Sequence, residues 1–206
     1  MDLLILGGIA VAGLILGSFL NVLIYRRQNL IIVLSTSILL VLMWRFYGCQ
    51  VEFFSVVFLF SLLITAAVID YEQYIIPNSV ILVGLIGAGI IQVFLFQGHQ
   101  MVNAGLGALS AAGFLFLLRV ISRGGVGAGD IKLALVIGLF LGWPVGLFSM
   151  FLACLIAGVI GIGLLLSGKK TRKDIIPFGP FLAISAMLSY FKGEEWLSWY
   201  LAWLGI

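Results

Sequence analysis

The chain is a succession of long apolar runs separated by short polar segments. A helix needs about 20 apolar residues to cross the hydrocarbon core of a membrane, and most of these runs approach that length. A transmembrane β-barrel would instead require strands in which polar and apolar residues alternate. The pattern therefore predicts an all-α, polytopic transmembrane helical bundle of about eight spans, at residues 3–25, 30–47, 53–70, 78–96, 102–121, 130–143, 145–167 and 175–191.

Two stretches depart from this regular pattern. The run 130–143 is short and Pro144 follows it, so 130–167 could instead form a half-buried hairpin. The tail from Trp196 to Trp203 is too short to cross a membrane. Its three tryptophans are typical of a helix that lies in the membrane interface.

Composition supports the membrane assignment. Hydrophobic residues make up 63% of the chain and charged residues only 9%, far fewer than a soluble domain carries. No polar stretch is longer than a loop, so the sequence predicts one membrane-embedded domain, 1–206, and no soluble domain. Membrane lipid is the expected surrounding, and no nucleic-acid partner is predicted.

Basic residues are distributed unevenly between the two sets of predicted loops. One set contains Arg26, Arg27, Arg119, Arg123, Lys132, Lys169, Lys170, Arg172 and Lys173. The other set contains only Arg45 and Lys192. Because cytoplasmic loops carry an excess of Lys and Arg, the first set is predicted to be cytoplasmic and the N-terminus to lie outside.

Two aspartates lie at the ends of apolar runs. Asp70 closes the run 53–70, and Asp130 opens the run 130–143 after a segment with four glycines, at 124–129. Two spans separate them, and an even number returns the chain to the same face. Both are therefore predicted at the cytoplasmic boundary, where a carboxylate is costly and indicates a function.

Each aspartate taken alone has a simpler explanation. Asp70 could be the first solvated residue after a span, and the glycines before Asp130 could form a flexible turn. A nucleotide-binding loop is excluded because no Lys-Ser or Lys-Thr follows the glycines.

Taken together, the two aspartates suggest an acid–base pair. Two nearby carboxylates tend to share one proton, so one can activate water while the other polarises a peptide carbonyl. Asp130 begins a helix, where the helix dipole favours the anion, and Lys132 is close in sequence. Asp70 ends a helix, where the dipole disfavours the anion. We therefore predict that Asp130 is mainly the base and Asp70 mainly the acid.

Small residues also recur within the spans. Gly84, Gly87 and Gly89 lie in one run, and Gly158, Gly161 and Gly163 lie in another. Glycines in membrane helices usually allow close packing of neighbouring helices. We predict that packing role for all six.

Four segments together resemble one family. They are residues 17–26, Asp70 with Ile76-Pro77-Asn78, the Gly-x-Gly-Asp segment 127–133, and 177–183 with Phe178-Gly179-Pro180. In this order they resemble the prepilin peptidases, the type IV leader peptidase family of membrane aspartyl proteases. The resemblance implies that Asp70 and Asp130 are the catalytic residues.

The resemblance also implies a substrate and a location. Such enzymes remove a short basic leader from type IV prepilins or pseudopilins, cutting after a glycine on the cytoplasmic side of a prokaryotic plasma membrane. Gly127 and Gly129 would leave room for the substrate backbone beside Lys132. Pro77 would restart a helix near the site, and residues 178–180 would shape the start of another. The oligomeric state stays open.

The chain departs from the family in one respect. Many members carry a cytoplasmic insert after the first span with two Cys-x-x-Cys pairs that bind zinc, whereas Arg26-Arg27-Gln28-Asn29 leads almost directly into the second span here. We expect this short form to bind no metal, and no cofactor is expected for proteolysis. Loss of the insert puts S-adenosylmethionine-dependent methylation in doubt. Cys49 and Cys154 are predicted to be buried apolar residues.

Two other functions compete with proteolysis. A cation-coupled transporter would use membrane acids as a relay, but would place them near the midplane on broken helices in related repeats. A noncatalytic assembly factor would explain the glycines and leave the two aspartates without a role.

Overall fold

A computed structural model describes residues 30–48, 50–95, 98–171 and 174–204, with five isolated residues between positions 11 and 18. This part of the chain is helical and contains no strand, which confirms the predicted all-α class. The predicted span 3–25 lies largely outside the described residues. So do Arg26, Arg27, Cys49, Arg172 and Lys173.

Seven helices make up the described bundle. They are α1 (Leu30–Tyr47), α2 (Val51–Gln73), α3 (Asn78–Leu95), α4 (Gly98–Ile121), α5 (Ala128–Leu141), α6 (Val145–Leu166) and α7 (Gly179–Leu204). Within the described residues, four helical segments are long and apolar enough to cross a membrane: Leu30–Tyr47, Glu52–Gln73, Met101–Ile121 and Val145–Leu166. Each coincides with a predicted span.

The three remaining predicted spans differ in detail. α3 contains a shorter apolar helical segment, Asn78–Val93. α5 has 14 residues and rises only about 21 Å, less than the thickness of the hydrocarbon core. α7 continues unbroken to Leu204, so the tail 196–203 is the last part of this helix and not a helix of its own. Within the polar turn of this helix, Lys192 pairs with Glu195 one turn later, with an N–O distance of 2.6 Å.

Connections between the helices are short, so successive helices run in opposite directions. The C-termini of α2, α4 and α6 and the N-termini of α3, α5 and α7 therefore meet at one end of the bundle. We call this the carboxylate end, because Asp70 and Asp130 both lie there. The turn Gly142–Pro144 separates α5 from α6 at the opposite end.

The centre of the bundle is α2. Its fully buried residues include Val56, Leu59, Leu63, Ala66 and Ile69, and it packs against α1, α3 and α7. Many large apolar side chains on the outer helices are exposed, as expected of a surface that faces lipid. Because lipid is itself apolar, helix association depends on van der Waals packing and hydrogen bonds.

The tightest helix contact joins α4 to α5 through glycines. A Cβ atom on Gly107 would lie 2.7 Å from Gly142 Cα, and one on Gly138 would lie 2.6 Å from the Gly107 carbonyl carbon. Only the absence of a side chain lets the two backbones approach this closely. These glycines were not among those selected from the sequence.

The glycines selected from the sequence behave differently from one another. Gly84 packs against Val136, at 2.8 Å from a Cβ atom placed on the glycine, and Gly87 packs against the Phe58 ring. Within the described part of the chain, nothing lies within 4 Å of a Cβ atom placed at 89, 158 or 163, and position 161 has one ordinary contact at 3.8 Å. Among the described residues the predicted packing role therefore holds at Gly84 and Gly87 and finds no support at Gly89, Gly158 and Gly163.

Gly107→Ala should destabilise the protein, because the new methyl group would collide with backbone that cannot rotate away. The expected loss is about 2 kcal/mol, measured as a lower unfolding temperature in detergent by tryptophan fluorescence. Gly105→Ala, on the same helix, is the matched control. No described atom of another helix lies within 4 Å of a Cβ atom placed at that position. This control should unfold at or above the wild-type temperature. Equal unfolding temperatures for the two variants would contradict the contact.

Candidate active site

Asp70 occupies the last turn of α2, where the chain is turned sharply toward α3. Tyr74 adopts a left-handed conformation (φ 57°), and its N–H donates to the Asp70 carbonyl oxygen at 2.8 Å, which ends the helix. The Asp70 side chain is buried, with 5% of its surface exposed. A carboxylate in such a place needs partners.

The partner of Asp70 comes from the start of α7, far along the chain. The Gly179 N–H donates to Asp70 Oδ2 at 2.7 Å across 109 residues. A Cβ atom at position 179 would lie 2.8 Å from both Cβ and Oδ2 of Asp70. Glycine is therefore required at this position, and the N-terminus of α7 is directed at the carboxylate.

Asp130 lies in the first turn of α5, where its own side chain caps the N-terminus of the helix. The Gly127 N–H donates to Asp130 Oδ2 at 3.1 Å, and a Cβ atom on Gly127 would lie 2.7 Å from that oxygen. Asp130 is 8% exposed. The glycine at 127 thus lets the carboxylate fold back onto the helix N-terminus.

The glycine loop before Asp130, residues 122–127, is fixed by two side chains. Arg119 Nη1 donates to the Val126 carbonyl oxygen at 2.5 Å, and Ser122 Oγ accepts from the Gly125 N–H at 3.0 Å. Arg123 and Gly124 both have positive φ, 54° and 100°. These contacts hold an otherwise permissive loop in one conformation.

Contacts between the two segments bring the aspartates close to each other. A Cβ atom on Gly129 would lie 3.1 Å from Ile76 Cβ, and Lys132 Nζ donates to Asn78 Oδ1 at 2.8 Å. The Asp70 and Asp130 carboxyl groups interact electrostatically. Two buried carboxyl groups that interact in this way favour a state in which they share one proton.

The helix dipoles at the site are more balanced than the sequence predicts. Asp70 ends α2, which disfavours its anion, but the N-terminus of α7 donates to the same carboxylate. Asp130 receives the corresponding field from α5. The difference in field used to assign Asp130 as base and Asp70 as acid is therefore reduced.

An apolar groove lies between α3 and α5 near the carboxylate end. It has a volume of about 310 Å³ and is lined by Asn78, Ile81, Leu82, Leu85, Lys132 and Leu135. Its polar end is the Lys132–Asn78 hydrogen bond, and its walls are the facing sides of α3 and α5. An apolar segment of another chain would match this lining.

The other residues selected from the sequence also lie at this end. The Pro77 carbonyl accepts the Val80 N–H at 3.1 Å as α3 begins. Phe178 is half-buried, and its carbonyl accepts the Phe181 N–H at 3.0 Å in the first turn of α7. Pro180 is the second residue of α7, a position where its missing N–H costs nothing.

Sequence reasoning assigned no structural role in the site to two residues. Ile76 is the buried residue against which Gly129 packs, and Arg119 fixes the glycine loop. Arg119 was interpreted only as a determinant of membrane orientation. Its place in the last turn before a loop of glycines was the available signal, because carbonyl groups there need donors.

No group of three or more His, Cys, Asp and Glu side chains that could hold a metal occurs in the described parts of the chain. Cys154 is a half-buried free thiol, less buried than predicted.

Fold and site together define a class: a multi-pass helical membrane protein with a pair of buried carboxyl groups at one end of the bundle. Residues 57–162 match the sequence model of the Type IV leader peptidase family. The chain belongs to that family, as the four motifs predict.

Several curated relatives agree with this assignment. A prepilin leader peptidase/N-methyltransferase of Bacillus subtilis (strain 168) is 37% identical over 158 residues, which are 75% of this chain and 62% of the relative. Proteins of the same name from Pseudomonas putida and Legionella pneumophila are each 28% identical, over 82% and 86% of this chain and 60% and 63% of their own lengths. The chain thus spans about three fifths of these relatives. No solved structure matches it significantly.

Arg119→Gln should loosen the glycine loop, because the Val126 carbonyl loses its charged donor. Amide hydrogens of residues 122–127 should exchange about tenfold faster, as expected for loss of one hydrogen bond to a charged group. Hydrogen–deuterium exchange with mass spectrometry measures this. Arg123→Gln removes the same charge from an exposed position in the loop and should leave exchange unchanged; similar acceleration in both variants would argue against the contact.

Proposed function

We propose that this protein is a membrane aspartyl endopeptidase that removes the short basic leader from type IV prepilins or pseudopilins. It cuts after a glycine, at the cytoplasmic face of a prokaryotic plasma membrane. The observation that carries the proposal is the pairing of Asp70 with Asp130. Both are buried at one end of the bundle, and each is held by a backbone N–H of a different helix start.

The proposed reaction uses the two carboxyl groups and one water. The ionised carboxylate removes a proton from the water, whose oxygen attacks the peptide carbonyl carbon after the leader glycine. The protonated carboxyl group donates to the carbonyl oxygen, which gives a tetrahedral intermediate. A proton then passes to the amide nitrogen as the carbon–nitrogen bond breaks. The water molecule supplies the hydroxyl group added to the carbonyl carbon and the proton added to the amide nitrogen. The proposed reaction therefore includes neither zinc nor S-adenosylmethionine.

Basic residues support a cytoplasmic location of the site. The carboxylate end of the bundle carries Arg119, Arg123, Lys132, Lys169 and Lys170 on its helix ends and loops. An excess of Lys and Arg is typical of cytoplasmic loops.

The groove near the carboxylate end supports a substrate that stays partly in lipid. A prepilin carries an apolar helix after its cleavage point, and the groove between α3 and α5 offers an apolar surface that starts two residues beyond Asp130. Gly127 and Gly129 are occupied by contacts within the protein, to the Asp130 carboxylate and to Ile76, so they position the catalytic segment and do not themselves leave room for substrate. With the substrate helix in the groove, the scissile bond would reach the aspartates while that helix remains in the membrane.

A transporter is less well supported by this geometry. Both aspartates lie in terminal helical turns at one end of the bundle, whereas coupling sites in transporters lie near the midplane on broken helices.

Asp70→Asn and Asp130→Asn should each abolish leader removal, because an amide can neither take up nor share the proton. In cells that coproduce a prepilin, we expect processing to fall about 1,000-fold or more, measured as loss of the leader-length mobility shift. Asp174→Asn is the control, since this exposed loop acid at the carboxylate end is bonded only locally, to Thr171. It should process normally.

Mass spectrometry of the product N-terminus completes this test. A product that begins directly after a glycine is expected, and its mass also reports any added methyl group. Processing that continues in either Asn variant at the wild-type rate would refute the proposed pair.

Gly179→Ala should inactivate the enzyme although both aspartates remain. The new methyl group would lie 2.8 Å from Asp70 Oδ2 and would displace the carboxylate, and a displacement of about 1 Å costs about 100-fold in rate. The same processing assay measures this loss. Gly158→Ala, at an open position on α6, is the control. Wild-type processing by Gly179→Ala would show that the Gly179–Asp70 contact is not needed for turnover.

A further inference from the structure

A second cavity lies at the opposite end of the bundle from the aspartates. It has a volume of about 240 Å³ and is lined by Phe140, Leu141, Val145, Ser189, Tyr190, Phe191, Glu194 and Glu195. Its origin is the short length of α5. That helix ends at Leu141 while α6 begins beside it and α7 runs on past it, so space is left beyond the last turn of α5.

The C-terminus of α5 lines this cavity with backbone carbonyl groups that carry partial negative charge. In a helix, the carbonyl group of Phe140 would accept a hydrogen bond from the backbone N–H four residues later. That residue is Pro144, which has no N–H. The carbonyl groups of a helix C-terminus carry partial negative charge and favour a cation. In membrane proteins, the ends of short helices use such carbonyl groups to bind cations.

A buried hydroxyl group in the cavity lacks a partner. Ser189 is 1% exposed, and its Oγ has no hydrogen-bond partner among the described residues. A buried polar atom left unpaired is costly. Ser189 lines the cavity, but its Oγ is closed to solvent in this rotamer, so rotation of the side chain about χ1 would let a donor in the cavity remove this cost.

The remaining lining adds a carboxylate and aromatic rings. Glu195 is paired with Lys192 at 2.6 Å, which leaves Glu194 as the carboxylate at the mouth to meet a ligand. Tyr190 and Phe191 lie in the wall with their rings perpendicular to each other, 5.4 Å apart, and aromatic faces attract organic cations.

We propose that this cavity binds a primary ammonium group. Such a group has three N–H donors, which match the three kinds of acceptor in the lining: the Glu194 carboxylate, the Ser189 hydroxyl group and the carbonyl groups at the end of α5. Its alkyl part would contact the aromatic rings. The cavity lies beside the polar turn of α7 that contains Lys192, Glu194 and Glu195. Aminophospholipid headgroups and free alkyl amines both carry a primary ammonium group, and the experiment below separates these two sources.

Competitive lipid binding tests the proposal on the full-length protein. The protein is purified with an equimolar mixture of phosphatidylethanolamine and phosphatidylcholine, and retained lipids are counted by native mass spectrometry. The wild type should retain phosphatidylethanolamine in about tenfold preference, the effect of one hydrogen bond to a charged group. Glu194→Gln should lose this preference, and Ser189→Ala should reduce it.

Controls separate the possible outcomes. Glu72→Gln makes the same chemical change at the carboxylate end and should keep the preference. If the wild type shows no lipid preference but free ethanolamine raises its unfolding temperature in phosphatidylcholine nanodiscs, and Glu194→Gln abolishes that increase, the ligand is a free amine. No preference and no stabilisation would overturn the proposal, as would an unchanged preference in Glu194→Gln. Because Glu194 is exposed, its variant should fold even where Ser189→Ala does not. None of these readouts depends on proteolysis.

Discussion

The hydrogen bond from the Gly179 N–H to Asp70 Oδ2, at 2.7 Å, is the contact on which the candidate site depends. It fixes the start of α7 against the end of α2, the central helix of the bundle, and gives a buried carboxylate its donor. The backbone N–H of Phe178, one residue earlier, also interacts with this carboxylate, so the groups that compensate for its burial at the edge of hydrocarbon come from one helix start. The start of α7 therefore both orients the carboxylate and joins segments 109 residues apart.

The length of α5 affects the structure at both ends of the bundle: the position of Asp130 at one end and the cavity at the other. Its first turn carries Asp130, and its close contact with α4 through Gly107 and Gly138 fixes its depth. Since the helix has 14 residues, its C-terminus stops within the bundle. Gln92 Nε2 then donates to the Leu139 carbonyl at 2.8 Å, which satisfies one acceptor that the early end of the helix exposes. The site and the opposite cavity thus have a common structural origin.

Part of this arrangement follows from the sequence, for physical reasons. Lipid requires every backbone polar group to be satisfied within the protein, so continuous apolar runs predict helices and their approximate ends. The even number of spans between Asp70 and Asp130 predicts a shared face without any knowledge of packing. By contrast, Gly105 and Gly107 are equivalent in sequence, yet only the second touches α5. Such contacts depend on how helices are rotated and tilted, and no local pattern contains that information. The contact of Gly179 with Asp70 is a long-range feature of the same kind.

The electrostatic difference between the two aspartates is another property that local sequence does not predict, because it depends on long-range packing. From the sequence, Asp130 at a helix start and Asp70 at a helix end experience opposite dipoles, which favours Asp130 as the base. Folding places the start of α7 against Asp70, so both carboxylates face a helix N-terminus. Lys132, two residues from Asp130 in sequence, donates to the Asn78 amide oxygen, and positions two apart on a helix point to different faces. Neither the helix dipoles nor this lysine therefore decides which carboxylate is the base, and the two carboxyl groups titrate as a unit.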